Sequence, residues 1–272
     1  MEFTHSKLGF FIVADDLGLN DAINGGVFFA FKNELIDGAS LMANGEVFDD
    51  AMQRLKDVPN ASIGIHLVLV EEKPVSDISE IPSLVTKDDF LHKNHKIFFI
   101  RYILGLINKK EIYLEMKAQI NKCIQVGIKP VFINSHQHLH LLPNIMDMTI
   151  KLAKEFDIPY IRVVVEPISL GKGKLFRQAQ LLFLNFLSWL AKKKIKKAGL
   201  QHNDFFMGFI DAGNLNIKSL KLAEKLQKTY PEKIIELGCH PGFENQKLVE
   251  KYKHWHYHWA KEIEVLKTKN DE

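Results

Sequence analysis

Short apolar runs rich in β-branched residues alternate along the chain with longer segments of helical period. This pattern predicts strands near residues 9–14, 39–43, 62–68, 130–134, 160–164, 206–210 and 234–239. It predicts helices near residues 21–33, 47–56, 110–126, 144–156, 175–198, 217–229 and 245–266. Strands that alternate with helices form parallel sheets covered by helices, so the sequence predicts an α/β fold with about seven parallel strands, either an open sheet or a barrel.

Two stretches interrupt this alternation. Residues 71–96 contain Pro74, Pro82 and several charges, which predicts a long loop over the functional face. Residues 170–200 begin with a GKGK tract and continue as an apolar helix that ends in AKKKIKK. That helix is interpreted as a lid or dimer helix, or as one that lies on an anionic membrane. With these two insertions, the chain is expected to form a single domain over residues 1–272.

Composition narrows the class of protein. The chain has 272 residues, and 36 Lys and Arg against 33 Asp and Glu give a net charge of +3, too small a bias to indicate nucleic-acid binding. Its two cysteines are far apart and predict reduced thiols rather than a disulfide framework. The sequence has no signal peptide pattern and no apolar run of membrane-spanning length, so a cytoplasmic location is expected.

Polar residues appear where the predicted strands end. The first strand runs into Asp15 and Asp16, and the third carries His66 near its end. Adjacent carboxylates repel each other, so they need a cation, a proton or divergent directions. A helix-capping turn and a hydrogen-bonded core histidine are the structural alternatives for these two features.

The fourth and last predicted strands add histidines. Residues 134–140 read NSHQHLH, and a continuing strand would place His136, His138 and His140 on one face. The last strand ends at His240, before a Pro-Gly turn. Because the carboxyl ends of parallel strands meet at one edge of a sheet, these groups together predict a metal-hydrolase site. Three further histidines, at 254, 256 and 258, are assigned to the last predicted helix, an amphipathic helix with an aromatic face, on which only His254 and His258 could pair.

Four motifs carry a family resemblance. VADDLG, GIHL, NSHQHLHLLP and CHPGF, in this order, resemble the YdjC-like carbohydrate deacetylases. The segments IRVVVEP and KKAGLQHNDFFMGFIDAG are most similar to the hopanoid-associated branch of that family. The resemblance implies a deformed (β/α) barrel of the glycoside hydrolase/deacetylase type and a divalent metal.

The resemblance also implies roles for individual residues. Asp16, His66 and His136 match the metal positions, Asp15 the general base and His240 the general acid. Four more residues match family positions that support the site or contact substrate: His138, His140, Arg162 and Glu166.

The implied activity is removal of an N-acetyl group from an amino sugar, in an oligosaccharide or a lipid-linked sugar. Magnesium is expected first from the resemblance, and zinc stays open because two histidines with one aspartate suit zinc. A homodimer is expected, and membrane contact is left open. Two alternatives remain: a metal-dependent phosphoesterase on the same barrel, and a non-catalytic sugar- or metal-binding module, which would lack the base or the acid.

Overall fold

Seven parallel strands form one sheet in the computed structural model, which describes residues 9–168 and 175–268. The strands are β1 (Phe10–Leu17), β2 (Gly38–Leu41), β3 (Ser62–Leu67), β4 (Phe132–Ser135), β5 (Tyr160–Ile161), β6 (Phe205–Met207) and β7 (Ile235–Cys239). Their order is β5-β4-β3-β2-β1-β7-β6, and every neighbouring pair is parallel. The predicted parallel α/β architecture is confirmed.

Helices fill the connections between the strands. They are α1 (Asp21–Lys32), α2 (Phe48–Leu55), α3 (His95–Ile103), α4 (Lys109–Gln125), α5 (Ile145–Glu155), α6 (Leu175–Lys197), α7 (Ile217–Thr229), α8 (Gln246–Tyr252) and α9 (Trp259–Lys267). Five of them begin after an asparagine whose side chain accepts a hydrogen bond from the first turn, the standard amino-terminal cap. These are Asn20, Asn94, Asn108, Asn216 and Asn245.

The two edges of the curled sheet are joined by a side chain. After β5 and before β6, the buried amide of Asn203 accepts from the backbone N–H of Val163 and donates to the carbonyls of Val163 and Phe205. The N–H of Phe206 also donates to the carbonyl of Val165, at 2.8 Å. These bonds satisfy backbone groups that a short edge strand would otherwise leave unpaired, and they close the sheet towards a barrel.

A close approach of strands sets the orientation of His66. A Cβ atom at Gly64 would lie 2.2 Å from the Phe132 ring, so β4 can lie this close to β3 only because residue 64 is glycine. Gly64 and His66 point to the same side of β3, and the register pairs His66 with Asn134. The imidazole is therefore held near the carboxyl end of β4.

Two sequence predictions are wrong in detail. The loop predicted to reach residue 96 ends at Asn94, where the asparagine side chain caps α3. The helix predicted over 245–266 is broken into α8, a short 3-10 turn at 253–255 and α9. His256 has a left-handed backbone with φ 58°, which a continuous helix does not allow. The three histidines at 254, 256 and 258 therefore do not share a helix.

Both cysteines are buried and free, as expected. No helix among the described residues is long and apolar enough to cross a membrane. The GKGK tract at 171–174 lies outside the described residues.

Candidate active site

The two adjacent aspartates at the end of β1 point in different directions. Asp16 has a left-handed backbone with φ 64°, and the pairing of β1 with β2 shifts register between Ala14 and Leu17. This irregularity turns Asp15 towards Arg162 and Asp16 towards two histidines. A non-glycine residue held in this region costs on the order of 1–3 kcal/mol, a strain that is typical of functional sites.

Asp16, His66 and His136 form a compact buried group. Oδ1 of Asp16 lies 3.2 Å from Nε2 of His66 and 3.2 Å from Nδ1 of His136. One ligand atom from each of the three residues lies within 4.8 Å of the others. Within residues 9–168 and 175–268 this is the one group of its kind. The structure thus brings together the three residues that the resemblance assigns to a metal.

Hydrogen bonds around His66 fix which ring nitrogen faces Asp16. The Oδ1 atom of Asp15 accepts from Ser40 Oγ at 2.7 Å and from Asn134 Nδ2 at 3.0 Å. The amide oxygen of Asn134 then lies 2.7 Å from Nδ1 of His66 and accepts its proton. Because a neutral imidazole carries one N–H, Nε2 of His66 presents a lone pair to Asp16.

His136 is oriented from the opposite side. Its Nε2 lies 3.4 Å from Oε2 of Glu71, which leaves Nδ1 for Asp16. Burial on its own would lower the pKa of His136, but hydrogen bonds to Asp16 and Glu71 raise it to about 10. A cation that binds this nitrogen therefore has to displace a proton.

The residues present fit a divalent cation. Asp16 Oδ2 and His66 Nε2 are buried without a hydrogen-bond partner, and a cation bound by both residues would compensate for the burial of these two acceptor atoms. One carboxylate with two imidazoles is a common donor set of catalytic metal sites, because it leaves coordination positions open. Asp16, His66 and His136 are the side chains that would hold such an ion.

Asp15 belongs to a separate buried ion network. Its Oδ2 accepts from Arg162 Nη1 at 2.5 Å, and Arg162 also forms an ion pair with Glu236 on β7. Burial on its own would raise the pKa of Asp15, but the charge and hydrogen bonds of Arg162 hold it well below its usual value. Asp15 therefore stays ionised at neutral pH.

His240, at the end of β7, lies in the same pocket as Asp15. Its Nδ1 is buried and lies 4.0 Å from Oε2 of Glu262 on α9, and that carboxylate also accepts from the His240 backbone N–H. The Tyr257 ring packs against the imidazole, with 4.8 Å between ring centroids. Since Nδ1 is enclosed, Nε2 is the ring nitrogen left for the pocket.

His138 and His140 do not continue a strand, so the prediction of three histidines on one face is wrong. The strand ends at Ser135, and Gln137 and His138 both have left-handed backbones with φ 55°. His138 lines the pocket against Phe206 and Phe209. His140 is fully buried, and its two nitrogens contact Ser135 Oγ at 2.6 Å and the Arg162 carbonyl at 2.9 Å.

Glu166 does not contact Arg162 or the Asp16–His66–His136 group directly. Its carboxylate accepts from the backbone N–H groups of Phe209 and Ile210 at 2.8 and 3.3 Å. Burial raises the pKa of Glu166 to about 7. Glu166 therefore holds the 208–212 loop, which forms one wall of the pocket.

Comparison with known proteins identifies the chain. Residues 10–270 match the family described as YdjC-like protein. The chain belongs to the YdjC-like family.

Two relatives and one solved structure are similar to this chain over more than half of its length. A carbohydrate deacetylase of Clostridium beijerinckii is 26% identical over 256 residues, which cover 94% of this chain and 90% of that protein. A carbohydrate deacetylase of Brevibacillus brevis is 32% identical over 146 residues, 54% of this chain and 56% of that protein. A crystal structure from Enterococcus faecalis V583, of a protein named for cellobiose-phosphate cleavage, has a TM-score of 0.69 at 22% identity and covers 94% of this chain and 89% of that one.

Sequence reasoning missed several residues of this YdjC-like site. Trp255 donates to Glu71 at 3.0 Å and packs on His136, with 5.0 Å between ring centroids. His95 and Tyr257 line the pocket. The aromatic residues at 255, 257 and 259 alternate with histidines, and this period of two does not fit one continuous helix. No comparable local signal marks Glu71, which reaches the site from an irregular loop.

Proposed function

We propose that this YdjC-like protein is a divalent-metal-dependent hydrolase that removes an N-acetyl group from an amino sugar. The observation that carries the proposal is the buried Asp16–His66–His136 group with its two unpartnered acceptor atoms, beside a pocket lined by Asp15 and His240. The carbohydrate deacetylase names of the full-length relatives support the substrate class.

The metal would be held by Asp16, His66 and His136. When bound, it supplies Lewis acidity that polarises the amide carbonyl and acidifies water. Magnesium is the first candidate because of the family resemblance, whereas the two imidazoles favour zinc. Competition between the two ions for the purified protein decides between them.

Asp15 is the proposed general base. Water adds to the acetyl carbon, and the proton that it loses goes to the carboxylate. Oδ1 of Asp15 already accepts three hydrogen bonds, from Ser40, Asn134 and Arg162, whereas Oδ2 accepts one. The proton is therefore assigned to Oδ2. Arg162 keeps the carboxylate ionised and fixes its direction.

His240 is the proposed general acid. As the carbon–nitrogen bond breaks, the proton on Nε2 moves to the departing amine, because an unprotonated amide nitrogen is a poor leaving group. Glu262 lies 4.0 Å from Nδ1 and accepts from the backbone N–H of His240, which fixes the position of the imidazole. The products are acetate and the free amino sugar, and the proton held by Asp15 returns to His240 through solvent.

The alternatives have less support. Phosphoester hydrolysis often uses two metals and several carboxylates, whereas one such group is present in the part of the chain that the structure describes. A non-catalytic binding module would lack the base or the acid, and both Asp15 and His240 line the pocket. The cytoplasmic location and the homodimer stay predictions.

Acetate release from N-acetylglucosamine, diacetylchitobiose and an N-acetylated glycolipid, with and without chelator, tests the proposal. We expect release from at least one of them, lost with chelator and restored by added metal. Asp15→Asn should lower kcat at least 100-fold while it still binds metal. His240→Gln should do the same, with His202→Gln, outside the pocket, as the matched control. Hydrolysis of chromogenic phosphoesters without acetate release would contradict the proposal.

A further inference from the structure

Two neighbouring helices expose a large apolar surface. On α6, the side chains of Leu182, Phe186 and Trp189 follow one another at intervals of four and three residues, and each is more than half exposed. On α3 and the turn after it, the exposed apolar side chains are Ile97, Ile100, Ile103, Leu104 and Leu106. We call the surface formed by these side chains the α3–α6 face. Contiguous exposed apolar surface of this kind marks an interaction site rather than ordinary scatter.

The α3–α6 face continues into the active-site pocket. Phe99 of α3 and Phe183 of α6 pack edge to face with 6.0 Å between ring centroids, and both line the pocket that contains Asp15 and His240. Lys96 lies over the Phe176 ring at 5.5 Å and adds a second contact between the helices. Whatever covers the face therefore lies next to the pocket entrance.

The two chain segments that contain α3 and α6 carry basic residues and no acidic ones. Residues 90–110 and 167–203 carry 13 Lys and Arg and no Asp or Glu, which leaves 23 Lys and Arg against 33 Asp and Glu in the rest of the chain. The small net charge of +3 therefore hides a cationic part and an anionic remainder. At the carboxyl end of α6, Lys193, Lys196 and Lys197 are exposed, and Lys193 lies over the Trp189 ring at 3.7 Å.

We propose that the α3–α6 face docks the protein on an anionic lipid bilayer. Apolar side chains flanked by lysines are the pattern of a helix that lies in the membrane interface, where the rings enter the headgroup boundary and the lysines meet lipid phosphates. A second copy fits poorly, because pairing this face with itself would bring two cationic segments together. The docking proposal does not depend on the proposed deacetylase activity.

Docking has a consequence for substrate access. It places the pocket entrance at the membrane surface, where an amino sugar carried on a lipid would be presented. This extension rests on the proposed function. A failure of acetate release from every sugar tested would remove the extension and leave the docking proposal standing, because vesicle binding is measured without turnover.

Trp189 provides a direct reporter. Binding of the purified protein to vesicles of phosphatidylglycerol and phosphatidylcholine is measured by co-sedimentation and by tryptophan emission. We expect pelleting with anionic vesicles, weaker pelleting with pure phosphatidylcholine, and a blue shift of the emission. Trp259 is buried and Trp255 packs in the site, so Trp189→Phe should remove the shift and keep most of the pelleting.

Matched variants separate this face from general charge effects. Lys193, Lys196 and Lys197 changed together to Gln should weaken partitioning at least 10-fold. Lys194 is left unchanged because it forms an ion pair with Asp147. The control changes Lys218, Lys225 and Lys228 of α7 to Gln. It removes the same amount of charge from a helix that packs against β1 and β7. We expect it to alter partitioning less than 2-fold.

The apolar contribution is tested in the same way. Phe186→Ser should weaken partitioning at least 5-fold, whereas Val249→Ser, at an exposed apolar position of α8, should not. Equal partitioning of the α6 variants and their controls would overturn the proposal. The absence of any blue shift would also overturn it. The same holds if analytical ultracentrifugation shows a dimer that binds no vesicles and that Phe186→Ser dissociates.

Discussion

The two imidazoles of the Asp16–His66–His136 group are held by different kinds of partner. His66 is oriented by a neutral amide, Asn134, at the end of the adjacent strand. His136 is oriented by the carboxylate of Glu71, which lies in an irregular loop and has a left-handed backbone with φ 72°. A carboxylate behind a metal-binding histidine raises the basicity of the ring and fixes its direction. Glu71 is therefore a positioning residue for the proposed metal.

Glu71→Gln should weaken metal binding by roughly 10-fold or more, because the variant keeps a hydrogen-bond acceptor but loses the negative charge behind His136. Isothermal titration calorimetry of the metal-free protein with zinc or magnesium measures this directly. Glu72→Gln is the matched control, since the Glu72 carboxylate bonds to Tyr252 and Lys251 instead. Equal affinities in the two variants would rule out the positioning role.

At the scale of the element, the irregular 253–258 segment packs directly against two histidines of the site. It places Trp255 on His136 and Tyr257 on His240, and it is anchored where the His258 N–H donates to the carbonyl of Gly213 at 2.7 Å. Gly213 has φ 70°, and a Cβ atom there would lie 2.0 Å from the Tyr257 ring. The segment fits only because residue 213 is glycine.

Gly213→Ala should therefore displace Tyr257, lower kcat and destabilise the fold by about 2–5 kcal/mol, the sum of an unfavourable φ and overpacking. Gly199→Ala is the control, because Gly199 has φ 78° but open space around it. Gly199→Ala should lower the free energy of unfolding only by the backbone strain at this φ, about 1–2 kcal/mol, and leave activity unchanged. Denaturant unfolding and acetate release measure the two effects. Equal loss of stability in both variants, with normal kcat, would contradict the fit argued for Tyr257.

Sequence reasoning predicted regular elements better than turns. The seven strands and the long helices follow from the period of the apolar residues. The structure brings Asp15, His66 and His240, which the strand ends singled out, to one pocket and places Asp16 beside His66. The period-two rule failed at His136–His140 because Gln137 and His138 adopt left-handed backbones, which residue type alone does not predict. The predicted continuous helix over Trp255 and Tyr257 failed for the same reason, because the left-handed backbone of His256 breaks it. Glu71 and Glu262 could not be found, since only the tertiary fold brings them to the site.

For the whole molecule, stability should respond to the raised pKa of Glu166. Its pKa is about 7 in the folded protein against 4.5 ordinarily, so the folded state binds more protons between these values. The contribution of Glu166 to stability is therefore fully present below about pH 4.5 and is lost as pH rises through about 7. Because Glu166→Gln removes this titration, the variant should gain up to about 3 kcal/mol relative to the wild type between pH 4.5 and 8.

Urea unfolding of wild type and Glu166→Gln at pH 5 and pH 8 measures this difference. Glu224→Gln on α7 controls for the loss of one carboxylate. A stability difference between wild type and Glu166→Gln that is the same at both pH values would show that Glu166 titrates normally in the folded protein.

The position of β7 has a consequence for biosynthesis. This strand is the last of the sheet to be translated, yet it lies between β1 and β6, and Cys239 contacts the Val13 carbonyl from 226 positions further along the chain. Until the ribosome has released β7, one edge of β1 stays unpaired and Arg162 lacks its partner Glu236. A nascent chain that already carries Asp16, His66 and His136 still exposes a sheet edge open to wrong pairing. Chaperone demand and aggregation should therefore peak late in synthesis, just before the sheet is completed.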